Sequence, residues 1–356
     1  MNVTSMRLPA GIGPALMAAV LFGASTPLAK MLLGSLHPIL LAALLYAGSG
    51  IGLGLWLLLR RMFRNVASEA PLRPRDLPWL GGAIAFGGVL GPVLLMLGLA
   101  ATPASTTSLL LNLESVLTAL IAWVVFRESV DRRVFLGMLA IVAGGIVLTV
   151  QRDTQAQLPW AALAIAAACL CWAIDNNLTR AVSGGDPVQI AAIKGACAGT
   201  INTGIALILG YRLPDLAHVA AAAGLGLAGY GISLVMFVIA LRHLGTARTG
   251  AYFSTAPFVG AALSLALLRE TPSLPFDIAG LLMAIGVWLH VSETHAHEHT
   301  HEPLAHDHRH RHDEHHQHTH DFPWDGEEPH THAHVHAPLA HSHPHYPDIH
   351  HRHGHS

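Results

Sequence analysis

ASTTSLLLNLESVLTALIAWVVFRES, residues 104–129, is answered later in the chain by TARTGAYFSTAPFVGAALSLALLRET, residues 246–271. Each is an apolar run long enough to cross a bilayer as a helix. Each ends in Arg-Glu, at Arg127-Glu128 and Arg269-Glu270, and a glycine follows at a similar distance, Gly137 and Gly280. A second pair of blocks stands in the same order: LFGASTPLAK (21–30) and CWAIDNNLTR (171–180) share an aromatic, a small residue, polar positions and a closing basic residue. Two matched blocks in one order mark an internal repeat.

The surrounding sequence says what is repeated. Of 356 residues, 52% are hydrophobic and 12% charged, about half the charged share of a soluble domain. Apolar runs recur at roughly 12–33, 38–59, 78–100, 103–126, 132–150, 159–182, 187–209, 216–241, 246–268 and 275–291. Ten such runs exceed what a soluble core could bury. Prolines 38, 78, 103, 159, 187, 214 and 275 fall at or near their starts, where the missing N–H has no helical partner to lose. Short connections favour antiparallel neighbours.

The expected architecture is therefore an all-α polytopic membrane protein of ten transmembrane helices in two five-helix repeats, followed by a disordered tail. An odd number of spans per repeat inverts one repeat relative to the other. Inverted repeats around a midplane site are a recurring plan of secondary transporters. The expected parts are an N-terminus at 1–11, a first repeat at 12–150, a second at 151–291 and a tail at 292–356. The first run reads as a retained helix, since no small-residue cleavage pattern follows it.

Orientation follows from arginine. RRMFRNVASEAPLRPRD (60–76) holds five and RESVDRR (127–133) three, whereas GSLHP (34–38) and LGLAATPAS (97–105) hold none. The positive-inside rule then places both termini in the cytoplasm. A net charge of −2 points to no nucleic-acid partner. Cys169, Cys171 and Cys197 lie inside apolar runs, so no disulfide framework is expected. No nucleophile–base constellation and no phosphate loop suggests an enzyme, and no cofactor is called for. A homodimer is compatible with the sequence.

An ionisable residue within a membrane span is a functional candidate by default, because burying charge in lipid costs several kcal/mol. Glu114, Asp175, Lys194 and, nearer the boundary, Lys30 meet this description. Asp175 and Lys194 each lie about seven residues from the same end of successive helices, at a depth of roughly 10 Å, so an ion pair between them is expected. Its role is structural, transport-related or both. Glu114, near the middle of its span, suits a proton-coupling carboxylate, a cation ligand, or a protonated side chain bonded to a neighbouring backbone. Asn112, Asn176, Asn177 and Asn202 add amide dipoles. Asn176 and Asn177 cannot both face one cavity, since adjacent helical residues point about 100° apart. Cys171 and Asp175 share a face, but a cysteine there is better read as packing. The glycines of GSGIGLG (48–54) and FGGVLG (86–91) are read as allowing close helix approach.

The repeat, the Arg-Glu helix ends and the segments AIDNNLTR (173–180), QIAAIKGACAG (189–199), LLNLESVLTALIAW (110–123) and TGAYFSTAPFVGA (249–261) resemble the EamA type of the drug/metabolite transporter superfamily, over residues 12–291. The resemblance implies a ten-helix inner-membrane carrier, commonly an exporter, of unspecified substrate. Phe22-Gly23-Ala24-Ser25 departs from the Trp-Gly-Ser-Asn of many members, which weakens the polar contribution of the first helix.

The tail alternates His-x-His from His295 to His355 and is broken by six prolines. It lacks hydrophobic periodicity and reads as disordered. From Ser292 it holds eleven acidic residues against three arginines. Neutral imidazole at cytoplasmic pH suits Ni, Co, Zn or Cu. The candidate ligands are His295, His297, His299, His301, His306, His308, His310, His312, His315, His316, His318, His320, His330, His332, His334 and His336. No fixed four-ligand spacing implies a structural zinc site.

Three functions remain open. One is proton-driven export of nickel or cobalt, with zinc as a further candidate, along a path of Glu114, Asp175, Asn112 and Asn176. A second is a proton-coupled exporter of small metabolites or amino acids, in which Asp175 and Lys194 meet a zwitterion and the tail buffers or senses metal. A third is a membrane-anchored metal-storage protein.

Overall fold

The computed structural model describes residues 11–63, 72–126, 132–149 and 158–292, and the backbone of four tail segments, 295–301, 305–310, 330–335 and 339–345. Ten helices in it are long and apolar enough to cross a membrane: α1 Ile12–Leu32, α2 Pro38–Met62, α3 Pro74–Ala100, α4 Ala104–Val125, α5 Arg132–Thr149, α6 Trp160–Val182, α7 Pro187–Ile208, α8 Leu216–Leu244, α9 Arg248–Leu268 and α10 Leu274–Val291. Helix is the form such segments must take, because hydrocarbon offers no partner for a backbone N–H or C=O. The bounds fall within a few residues of those expected. The chief departures are at α3, where a 3₁₀ turn at Pro74–Asp76 lengthens the start, and at the longer ends of α2 and α8.

Helix starts carry local signals. His37 caps α2 and Asp186 caps α7, each just before a proline at the first helical position. Asp215 accepts from the N–H groups of Ala217 and His218 at 3.0 and 3.1 Å. At the start of α4 the cap comes from elsewhere: Glu270, beyond the end of α9, accepts from Ala104 N at 2.8 Å and Ser105 N at 2.9 Å. The Arg-Glu motif at 269–270 is thus a capping device. Its counterpart at Arg127-Glu128 lies outside the described residues.

The two repeats interleave. α1 packs on α8 and α9 of the other repeat, and α6 packs in the same way on α3 and α4; α2 crosses α7, and α5 crosses α10. The α2–α7 crossing is a backbone-to-backbone approach. A Cβ on Gly50 would stand 2.3 Å from Ala196 N, and one on Gly199 would stand 2.5 Å from Ala47 N. This agrees with the packing role expected for residues 48–54.

Irregularities recur at matching places. α3 holds a π-helical segment at Ile84–Leu90 and α8 holds one at Leu227–Ile232. α4 is interrupted between Leu110 and Leu113, and α9 between Phe253 and Ala256. Broken helices near mid-membrane free backbone groups, a tolerable arrangement where protein or a cavity receives them.

The tail is described only as short backbone segments. Four strands occur in it: β1 His295–His301, β2 Ala305–His310, β3 His330–Val335 and β4 Leu339–His345. β1 pairs antiparallel with β4, and β2 with β3. The physical reason is that His-x-His alternation has the two-residue period of a strand, even without an apolar face. Of the proposed ligands, His312, His315, His316, His318, His320 and His336 lie outside the described residues.

Candidate functional site

Where α1, α2, α4, α6, α7, α8 and α9 converge, a cavity is lined by Glu114, Asp175, Asn176, Lys194 and Ser233, and by six aromatic rings: Phe22, Tyr46, Trp172, Tyr230, Phe237 and Phe253. The space open to water-sized spheres is about 60 Å³, enough for a few waters or a small solute.

Asp175 and Lys194 form the expected ion pair. Lys194 is 2% exposed, and its Nζ stands 2.6 Å from Asp175 Oδ1 and also contacts Oδ2. Thr179 Oγ1 donates to Asp175 Oδ1 at 2.9 Å. Such extra bonds are what a desolvated pair needs. Asp175 fits only because residue 87 is glycine: a Cβ there would fall 1.9 Å from Asp175 Oδ2.

Glu114 is the second residue of the resumed half of α4, Leu113–Phe126. It is therefore at a helix N-terminus, where the dipole favours a carboxylate. Asn176 Nδ2 donates to its Oε1 at 2.8 Å. The sequence could not say whether Glu114 and Asp175 face one cavity; they do. Asn176 lines it, whereas Asn177 turns away and donates to Ala173 O and Thr118 O, as the 100° step requires.

Asn112, expected along the path, does not line this cavity. It is buried, and its Nδ2 donates to Leu109 O at 3.1 Å and approaches Met283 Sδ at 3.7 Å. It is absent from the cavity wall because it lies in the interruption of α4, before the helix resumes at Leu113, and its side chain turns back onto the end of the preceding half. Asn202 likewise spends its amide on Gly88 O, at 3.0 Å. Lys30 is also structural: its Nζ caps the end of α3, reaching Leu99 O at 2.6 Å and Thr102 O at 2.8 Å. Cys171 is buried, Cys169 lies against Leu110 O, and all three cysteines are free thiols. Among the described residues whose side chains are placed, no three His, Cys, Asp or Glu side chains gather as a metal site.

The sequence reading missed the aromatic wall. Phe22 meets Trp172 edge-on at 5.5 Å, Tyr230 at 5.8 Å and Phe253 at 5.4 Å, and Tyr46 meets Tyr230 at 5.4 Å. One signal was present: Phe22 and Trp172 are the matched aromatics of the repeat blocks. They touch because both rings point into the one cavity from opposite repeats. The π segment of α3 lies behind the wall and anchors two of its rings. Its Gly87 carbonyl accepts from both Tyr46 Oη at 2.7 Å and Trp172 Nε1 at 3.0 Å. π bulges inside α-helices often mark functional sites.

Comparison with known proteins agrees with this architecture. The sequence profile of the EamA-like transporter family matches residues 9–150 and again 159–292. A protein of Methanothermobacter thermautotrophicus, named as an uncharacterized transporter, is 30% identical over 286 residues, covering 76% of this chain and 83% of its own. One solved crystal structure shares the fold, with a TM-score of 0.59 at 19% identity over 79% of this chain and 96% of that one. The chain is a multi-pass membrane protein of ten spans and belongs to the EamA-like transporter family.

Proposed function

We propose that the protein is a proton-coupled carrier of small, amine-bearing metabolites of amino-acid type, working by alternating access. The observation that carries this reading is the placement of Glu114. Its carboxylate opens on a cavity walled by aromatic rings and is held by a neutral amide, whereas the charge of Asp175 is already matched by Lys194. Aromatic faces and a carboxylate together suit an ammonium group. Lys194 offers the complementary charge for a carboxylate end. Glu114 exchanges its proton for the solute as the repeats rock. The arginine-rich segments 60–76 and 127–133 support cytoplasmic termini in a bacterial-type inner membrane, with export as the direction of transport.

The tail favours a second reading, export of nickel or cobalt, with zinc as a third ion. Histidine at its density collects such ions at the cytoplasmic mouth.

Proteoliposomes with an imposed proton gradient separate the two. Labelled amino acids and amines, and separately Ni²⁺ and Co²⁺, are followed with the full protein, Glu114→Gln and a chain ending at Glu293. Gradient-driven amine movement lost in Glu114→Gln and kept without the tail supports the first reading. Metal movement lost in Glu114→Gln sinks it in favour of the second.

A further inference from the structure

The two ends of the cavity are built differently. Asp175, Asn176, Lys194, Phe237 and Phe253 all stand five to seven residues from helix ends on the side of the arginine-rich segments. On the other side, the first half of α4, Ala104–Leu110, and the second half of α9, Ala256–Leu268, give the wall no residue among those described. There α1, α4 and α9 meet at contact distance. A Cβ on Gly23 would collide with Ala256 O, and one on Gly260 would stand 2.6 Å from Ser108 Oγ and 2.8 Å from Gly23 O. This junction stops the cavity on the side away from the arginines.

Two charged side chains grip the outer end of the junction. Lys30 Nζ, in the last turn of α1, donates to Leu99 O, Ala100 O and Thr102 O at 2.6, 3.2 and 2.8 Å. Glu270, from the second repeat, accepts from Ala104 N and Ser105 N. One turn, between α3 and α4, is thus held by its carbonyls from one repeat and by its N–H groups from the other.

Other features oppose the grip. Glu270 follows Arg269, which takes φ 53° and ψ 34°. It is the one non-glycine residue with positive φ among those described. Left-handed backbone is unfavourable for a residue with a Cβ, and a helix that ends this way ordinarily carries glycine there. The junction also traps hydroxyls. Thr107 Oγ1 and Ser108 Oγ are fully buried and have no hydrogen-bond partner among the described residues. That disfavours the sealed arrangement until they reach water or a solute. Thr249, matched to Thr107 by the repeat, is buried and unpaired in the same way.

We infer that Lys30 and Glu270 form a releasable latch over the start of α4, loaded by Arg269 and by the trapped hydroxyls of Thr107 and Ser108. Its release opens the cavity on the side away from the arginine-rich segments. The moving part is the first half of α4, and the break between Leu110 and Leu113 is its hinge. Once the half-helix swings out, the two hydroxyls line the exit. The latch rests on the alternating-access reading and not on the identity of the solute or on proton coupling.

The test is labelling by a membrane-impermeant maleimide of the full chain carrying Ser108→Cys, with Cys169, Cys171 and Cys197 replaced by alanine. Intact cells and inside-out vesicles present the two sides in turn. A separate Ser68→Cys variant, within the arginine-rich segment 60–76, marks that side. Lys30→Met and Glu270→Ala each remove charge-assisted hydrogen bonds and should each speed labelling at position 108 about tenfold or more. The gain should come only from the side that Ser68→Cys does not report. Arg269→Gly keeps both latch groups and relieves the left-handed strain, so labelling should slow about fivefold. Unfolding cannot slow labelling, and it would expose position 108 from both sides. Unchanged rates in the two latch variants, equal gains from both sides, or faster labelling in Arg269→Gly would each overturn the latch. Absence of amine transport with this labelling pattern intact would sink the proposed solute and leave the latch standing.

Discussion

Ser25 in α1 and Asp175 in α6 occupy matched places in the two repeats. Each packs under a glycine of the other repeat's π-bearing helix: Gly229 over Ser25, Gly87 over Asp175. Leu45 and Lys194 each stand seven residues after the proline that opens their helix, and both are buried. Glu114 aligns with Ala256, each just past the interruption in its helix. Every ionisable group of the cavity thus has a neutral twin. The scaffold is doubled, but its chemistry is not. A symmetric scaffold can rock between two faces, while a single polar side to the cavity gives a solute one orientation.

Breaking the asymmetric pair should have the largest effect. Lys194→Ala leaves Asp175 buried without its partner and should cost about 3–5 kcal/mol of stability. Thermal unfolding of the purified protein, followed by tryptophan fluorescence, measures it. Leu45→Ala at the twin position should cost about 2–5 kcal/mol from cavity formation alone, so the double change Asp175→Leu with Lys194→Met separates the causes. It should restore most stability and no transport. If transport returns, the pair is structural.

Glu114→Gln keeps the bond from Asn176 within reach and should leave unfolding within about 1 kcal/mol. Gradient-driven accumulation and solute counterflow should both be lost, because the carboxylate that gives up the proton is the one that receives the ammonium. Counterflow that persists would make Glu114 a coupling group without a part in binding.

The glycine twins sharpen the comparison further. Gly87→Ala drives a methyl into a carboxylate held by three bonds, whereas Gly229→Ala meets Ser25 Cβ at 2.7 Å. Overpacking of this kind costs about 1–3 kcal/mol, and Gly87→Ala should be the worse of the two in melting temperature. Equal shifts would mean that Asp175 moves freely.

The smallest effect concerns the caps. His37 Nδ1 accepts from Ile39 N, and burial against the stacked Tyr211 ring holds the imidazole below its usual pKa. A depressed histidine contributes its stability above the unfolded value near 6.5 and loses it as pH falls through the lower folded value. Hydrogen exchange at the start of α2 should therefore quicken on acidification. α7, capped by Asp186, is the internal control.

Much of this was legible beforehand. The ten spans followed from apolar length, the inversion from an odd repeat, and the Asp175–Lys194 pair from equal depth on successive helices. All rest on distances along the chain, which a helix converts directly into position. What escaped was rotation and convergence. Asn112 and Glu114 look like neighbours in LLNLES until the break in α4 separates them. Tyr46, Tyr230, Phe237 and Phe253 are scattered aromatics in greasy helices until interleaving gathers them around Phe22 and Trp172. Glu270 reads as a helix end until it caps a helix of the other repeat.

The sequence by itself determined the membrane class, the doubled plan and the charged residues worth watching, because hydropathy and helical rise are local properties. Only the tertiary structure decided that Glu114, Asp175 and Lys194 share one cavity and that aromatic rings wall it. Those outcomes depend on which faces of distant segments meet, and no single segment carries that information.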